Sequence, residues 1–487
     1  MGFHKRAAAA GASSIIQVSS RRLVKASDTS IQPHVAAVSH LDLITNCAQA
    51  SVRCVYRKPT NGDLGCFSAV VAAFEAHLPS LLNHFFSLAG RIVIDRATGV
   101  PELHCFNQGA ELVVGHADLE LCGMDWGLPE ESLGRIQVPY AEDLPLSVQL
   151  LSFACGGFAV VWATNTLIGD GNVGVMLVRM FSELSRTGTL SWGGPTHDRS
   201  VFSKPRDPPS YGTKVASMFT PWDHEHQVNA LTAEESFVGR LYYVEAQDIA
   251  RLRADADADA GAGTGRQRAA TRVQAMSAYL WKVLARIVAT SKLLSEDEKR
   301  CRLLWWVDGR RRFSAPELRA RLQNYAGNVT SYVVADAAAD RVLGEPMSGV
   351  AGMVRDAIAE VDYDEMYQQM VDWMEVHKPG RFVETSTVGL GSPTLAQTMW
   401  SSFKDDTDFG FGKAALAMPA ESSLGRLCMA MLSISAKPGD PGTWLVSACI
   451  WPRLAAALES DPQRIFKPLN AEYLGFTHAA ATARPRL

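Results

Sequence analysis

Two short segments hold the residue types best able to do chemistry. The first is Phe158-Ala-Val-Val-Trp-Ala-Thr-Asn-Thr-Leu-Ile-Gly-Asp-Gly-Asn172, which reads as a strand, a tight turn and the start of a helix. Turns at the ends of buried strands are common homes for reactive groups, because a rigid scaffold holds them where a ligand can reach. Asp170 has two readings here. It is either a carboxylate that acts on a substrate or a cap for the free amides of a helix beginning near Val173, where the helix dipole favours negative charge. The second segment is Asp408-Phe-Gly-Phe-Gly-Lys413. Two glycines around an aromatic permit sharp backbone turns and close approach to another surface. A kinase reading of Asp-Phe-Gly fails, since no glycine-rich nucleotide loop or His-Arg-Asp segment precedes it. His224 and His226 have ligand-like spacing but no third partner, so no metal site is expected.

The elements that must position these groups alternate between helix and strand periods, which gives a mixed α/β class. Three apolar stripes with three-and-four spacing predict buried helix faces. They comprise Phe67, Val70, Val71 and Phe74, continuing past Pro79 to Leu81, Leu82 and Phe85; Val173 to Leu184; and Val273 to Ile287. Strands are expected at Phe158–Thr164, Leu303–Val307, Leu427–Ser435 and Trp444–Ile450. The last two flank Lys437-Pro-Gly-Asp-Pro-Gly442, which predicts a hairpin. The stretch from Gly193 to His226 is rich in proline and reads as a crossover between halves. The run from Ala254 to Gly265 alternates alanine with aspartate and then glycine, and is expected to be a solvated loop without structure. It lacks the glycine turn and distal glutamate of a calcium loop.

At 487 residues the chain exceeds one ordinary core and suits two domains. The expected division is a disordered start over 1–20, an N-terminal domain over 21–192, a crossover over 193–230 and a C-terminal domain over 231–487 with a disordered loop at 254–266. Hydrophobic residues at 47% and charged residues at 20% fit a soluble globular protein. A net charge of −4 gives no electrostatic reason to expect nucleic acid or an anionic membrane as partner. No apolar run approaches the ~20 residues of a membrane span. Nine scattered cysteines without a Cys-x-x-Cys pair point to free thiols and a reducing compartment, the cytosol by default. The ending Pro485-Arg486-Leu487 is similar to the Ser-Lys-Leu peroxisomal address and makes the peroxisome the alternative.

Taken together and in order, the two segments resemble the plant BAHD acyl-CoA-dependent acyltransferases. That family carries a His-x-x-x-Asp-Gly turn mid-chain and an Asp-Phe-Gly-Trp-Gly loop near the end. Thr166-Leu-Ile-Gly-Asp170-Gly171 takes the place of the first, and Asp408 to Gly412 that of the second, with Phe411 for Trp. Ser39-His40-Leu41-Asp42-Leu43, Phe86-Ser-Leu-Ala-Gly-Arg91, Asp308-Gly-Arg310, Asn324-Tyr-Ala-Gly-Asn328 and Thr398-Met-Trp400 follow further family landmarks, so the resemblance spans roughly residues 20 to 475. It implies two similar chloramphenicol-acetyltransferase-like domains with mixed sheets flanked by helices, and an active-site tunnel between them. Acyl-CoA enters as co-substrate, a small-molecule acceptor comes from the other face, no cofactor is needed, and the chain is a monomer. It also implies Asp170 and Asp408 as structural supports and Arg310 or Arg312 as partner of Asp170. Arg310 and Arg311 become candidate CoA contacts, and Thr398, Trp400 and Asn165 candidate residues on the acceptor side.

The departure is Thr166, at the position of the family's base. Imidazole titrates near pH 6.5 and can take and return a proton at neutral pH, which an aliphatic hydroxyl cannot. General-base help is worth ~10²–10⁴ in rate. Three functions follow: acyl transfer to an alcohol or amine without the usual histidine, a lyase-like reaction reusing the tunnel, or a binding or accessory protein that has lost catalysis.

Overall fold

Two mixed sheets set the architecture of the computed structural model, which describes residues 15–45, 47–59, 66–225, 228–232, 237–258, 269–292, 295, 299–400, 407–421 and 428–477. The first sheet runs, in spatial order, Gln17–Val24, Ala110–Ala117, Leu146–Phe153, Phe158–Asn165, Gln49–Tyr56 and Leu416–Glu421. The second runs Thr330–Ala338, Arg300–Asp308, Thr394–Met399, Ala430–Lys437, Asp440–Ile450, Val238–Val244 and Lys467–Pro468. Parallel pairing occurs once in the first sheet, between Ala110–Ala117 and Leu146–Phe153, and twice in the second, on either side of Thr394–Met399. The strand Leu416–Glu421 crosses from the C-terminal part to pair with Gln49–Tyr56. The two halves are therefore stitched by a shared strand as well as by the crossover.

The three expected helices form as Phe67–His84, Gly171–Thr187 and Arg272–Ala289. The first continues through Pro79. Burial of Leu78, Leu81 and Leu82 outweighs the roughly 3 kcal/mol penalty of a mid-helix proline. Phe74 of this helix and Phe181 of the second stack at 4.1 Å over the first sheet. The third helix lies on the second sheet, where Ser277 accepts a hydrogen bond from the Trp305 indole (3.0 Å) and donates one to Gln397 (3.1 Å). The expected hairpin forms with Lys437 opposite Asp440 and Gly439 at φ 82°.

Two expectations about unstructured segments are corrected. The strand Gln17–Val24 opens inside the 1–20 stretch, held by antiparallel pairing to Ala110–Ala117. The alanine–aspartate run begins as helix rather than loop, because Ala246–Asp257 continues through Ala254 with Leu252 and Ala256 buried. Alanine is the best helix former, and Asp257 ties the end down by accepting from the amide of Ala270 (2.6 Å). The remainder of that run, His226, and the terminal tripeptide 485–487 lie outside the described residues. Among the described residues no helix is long and apolar enough to cross a membrane. All nine cysteines are described and none is in a disulfide.

The described residues of the crossover carry short elements: the single-turn helices Arg199–Phe202 and Thr213–Ala216, and a strand Phe219–Pro221 paired with Phe382–Glu384. This small ribbon lies beside the second sheet, where the Tyr332 hydroxyl donates to the carbonyl of Met218 (2.7 Å).

Candidate active site

Strand Phe158–Asn165 delivers the chain into the turn that ends at Asp170, and Asp170 caps helix Gly171–Thr187 by accepting from the amide of Asn172 (3.1 Å). The cap is one contact of five. Arg310 donates to both carboxylate oxygens (2.8 and 3.1 Å), and the amide of Val329 (2.9 Å) and the hydroxyl of Thr330 (3.0 Å) complete the set. A carboxylate so fully engaged is a fastening between the two halves, not a group that acts on a substrate. Arg310 is 2% exposed and also donates to Asp308 (2.9 Å) and to the carbonyls of Tyr325 and Gly327. Burial opposes its charge, but Asp170 and Asp308 outweigh burial and raise its pKa. Its assignment as a CoA contact is therefore corrected: a buried guanidinium tied to two carboxylates has no face left for a phosphate. Arg311 and Arg312, next along the chain, are exposed, and Arg312 lies over the Tyr363 ring at 5.5 Å.

Thr166 is held as firmly. Its hydroxyl accepts from the amide of Ala48 (2.9 Å) and donates to the carbonyl of Thr45 (3.2 Å), while its own amide donates to the carbonyl of Ala48 (2.8 Å). These bonds extend the pairing of Gln49 with Asn165 by one more step. They also brace Cys47, which sits in the left-handed region at φ 54°. Asn165 assists by donating to the Cys47 carbonyl (3.0 Å) and accepting from the Leu167 amide (2.9 Å). At 2% exposure with both ends of its amide engaged, Asn165 supports the turn, which corrects its assignment to the acceptor surface.

Among the described residues, neither His40 nor Cys47 takes over from the missing imidazole. His40 is buried, with its Nδ1 at the Phe202 carbonyl (3.2 Å) and its Nε2 at the Glu375 carboxylate (2.6 Å). Burial pushes the Cys47 thiol up to about 11, so it stays protonated and inert at neutral pH.

A second fastening links three parts of the chain. The buried Asp42 carboxylate pairs with Arg199 of the crossover and accepts from both the amide (2.9 Å) and the side chain (2.8 Å) of Asn328. Arg199 also donates to the carbonyls of Ile168 (2.9 Å) and Ala326 (3.1 Å), and Asn328 to that of Thr166 (2.9 Å). Sequence reasoning missed Arg199 altogether, since it stands alone in an irregular stretch with no periodic signal around it.

The Asp408 loop is architectural. Its carboxylate folds back to the amides of Gly410 (2.9 Å) and Gly412 (3.1 Å), whose φ values of 97° and 90° require glycine. Phe409 plugs the first domain's core, with ring centroids 5.3 Å from Phe181 and 5.6 Å from Phe74. Phe411 meets Phe158 edge-on at 6.3 Å.

Strand alternation decides what faces the space between the halves. Trp305 and Gln397 point to helix Arg272–Ala289, so their neighbours Trp306 and Thr398 point the other way. The Trp400 indole lies so close to Gly171 that an added Cβ there would meet it at 2.7 Å. A cavity of about 30 Å³, with room for roughly two waters, opens beside Trp400 between Val52, Val175 and Ser435. Ser435 is 5% exposed, and its hydroxyl has no hydrogen-bond partner among the described residues.

Residues 15–464 match the Transferase family. The chain belongs to this family, the BAHD acyltransferases. The chain is 26% identical over 358 residues to omega-hydroxypalmitate O-feruloyl transferase of Arabidopsis thaliana, covering 72% of this chain and 73% of that one. It is 24% identical over 433 residues to putrescine hydroxycinnamoyltransferase of Oryza sativa subsp. japonica, covering 83% and 90%. Its fold is that of F. graminearum TRI101, solved with coenzyme A and deoxynivalenol, at a TM-score of 0.69 and 14% identity over 89% of this chain and 99% of that one. As a BAHD enzyme it is an acyl-CoA-dependent acyltransferase that acts on an alcohol or amine, with the thioester as co-substrate and no cofactor. Among the described residues no three potential ligands cluster for a metal ion.

Proposed function

We propose that this BAHD enzyme acylates an amine, and that the basicity of the acceptor itself stands in for the absent imidazole. The observation that carries this is the Thr166 hydroxyl, whose hydrogen bonds both run to the main chain at Thr45 and Ala48. An alcohol must lose its proton as it attacks, which needs a base. A neutral amine attacks a thioester with its lone pair. The C–N bond forms, the C–S bond breaks, coenzyme A leaves as thiolate, and the surplus ammonium proton passes to that thiolate or to water. Holding the two reactants together supplies much of the acceleration. The putrescine acyltransferase among the relatives works on an amine by name. Thr398 and Trp400 would line the acceptor side, Arg311 would meet the CoA phosphates, and the enzyme would act as a monomer in the cytosol.

The test is a pH–rate profile of kcat/KM with amine and alcohol acceptors, for the natural protein and for Thr166→His. The natural protein should acylate amines, with a rate that climbs with pH towards the acceptor's own pKa and shows no inflection near 6.5. The histidine variant should gain alcohol acylation with an inflection there. Turnover of alcohols alone by the natural protein would refute the proposal.

A further inference from the structure

Gly171 opens helix Gly171–Thr187, directly after Asp170, and nothing in its backbone calls for glycine. Its φ lies outside the left-handed region, so any L-residue could adopt the same conformation. Alanine is the better helix former and would leave the unfolded chain less freedom. Space supplies the reason instead. A Cβ built on Gly171 would meet three atoms of the Trp400 six-membered ring, Cη2 at 2.7 Å, Cζ2 at 2.9 Å and Cζ3 at 3.2 Å. The outer edge of the indole therefore fills the volume that a methyl group would take. Gly174, one turn further on, differs. A Cβ there would stand 3.4 Å from Val52 and 3.9 Å from the indole, which is ordinary contact.

Both sides of this contact are fixed from elsewhere. Asp170 holds the start of the helix through its bonds to Arg310, Val329 and Thr330 of the second half. Trp400 directly follows strand Thr394–Met399, which has a parallel neighbour on either side in the second sheet. The indole is only half-buried, so it keeps surface for a ligand while its edge rests on the turn that ends at Asp170. Carbon atoms in contact prefer about 3.5–4.0 Å, so Gly171→Ala must push ring and helix apart by roughly 1 Å.

Resting on the placement of Trp400 on the acceptor side, as read above, we propose that Gly171 is a positioning residue for acyl transfer. Its missing side chain seats the Trp400 indole against the turn that carries Thr166, and that seat sets where the acceptor lies relative to the thioester.

The experiment is a double-mutant cycle of Gly171→Ala and Trp400→Phe. It reads kcat and KM for amine and alcohol acceptors, KM for acyl-CoA, and urea unfolding of every variant, which also confirms folding. A phenyl ring does not reach as far as the outer edge of an indole, so Trp400→Phe withdraws the atoms that meet Gly171. Gly171→Ala alone should lower kcat/KM for the acceptor about 10- to 100-fold, chiefly through acceptor KM, because a misplacement near 1 Å carries a cost of that order. KM for acyl-CoA should not change. On top of Trp400→Phe the same substitution should cost little, and Gly174→Ala should leave acceptor KM as it is. An equal loss with and without Trp400→Phe overturns the seat, because the glycine then serves the backbone. Full activity of Gly171→Ala towards amines overturns the seat and leaves the amine reading standing. The expected coupling with alcohols alone supports the seat and overturns the amine reading instead. Where turnover is too low to read, the unfolding cycle decides: additive effects of the two substitutions overturn the seat, and non-additive ones support it.

Discussion

Replacing Thr166 with valine keeps the shape of the side chain and removes only its hydroxyl. Two hydrogen bonds go with it, from the Ala48 amide and to the Thr45 carbonyl. Each is worth about 0.5–1.5 kcal/mol net, so the ceiling is about 3 kcal/mol. Ala48 is exposed, and water can satisfy its amide once the hydroxyl is gone. That places the expected loss near 1 kcal/mol. The Asn165 bond to Cys47 survives the change and keeps the left-handed turn in place. Urea unfolding followed by tryptophan fluorescence reads the stability, and release of coenzyme A thiol reads turnover. The variant should lose about 1 kcal/mol and keep kcat for amines within tenfold. Were the hydroxyl a proton carrier, kcat would drop by ~10²–10⁴ with little change in stability. That second pattern would refute the bracing role. Thr166→Ser retains the hydroxyl and should behave as the natural protein in both assays.

Asp170→Asn leaves Arg310 buried against Asp308 alone, and breaking a buried pair costs about 3–5 kcal/mol, so urea unfolding should show a loss at the lower end of that range. Phe409→Ala opens a void among Phe74, Phe181 and Trp162, and denaturant titration should show a destabilisation of about 3–5 kcal/mol. Glu384→Gln should stabilise the protein near neutral pH. Because the folded pKa lies above the ordinary 4.5, the unfolded chain releases this proton first as pH rises, and the native state loses stability through that window. Unfolding midpoints of the variant and the natural protein should converge at low pH, where the carboxyl is protonated in both states, and separate as pH rises to about 7.

The sequence was most legible where periodicity and turn chemistry act locally. The stripe from Val173 to Leu184 became the buried face of one helix, and Gly439 closed the hairpin it predicted. Motif order carried the fold, and of the two partners that the resemblance offered Asp170, Arg310 and Arg312, the structure uses Arg310. What failed to show depended on contacts distant in the chain. Arg199 joins Asp42, 157 residues away, from a stretch with no element to announce it. Asn165 and Arg310 looked like ligand contacts because polar residues beside a motif invite that reading, whereas the structure buries both and ties them to main-chain and carboxylate partners. Glu384 sits among Arg381-Phe-Val-Glu-Thr385 with nothing in the pattern to say that its side chain meets the Trp306 indole.

The hydroxyl that stands for an imidazole at position 166 is consistent with an amine acceptor. An amine attacks only when neutral, and in water most of it is protonated at pH 7. Removal from water into the space beside Trp400 disfavours the ammonium form and so favours attack. An imidazole at position 166 would add nothing to that step, so the hydroxyl that replaces it is available to brace the turn against Thr45 and Ala48.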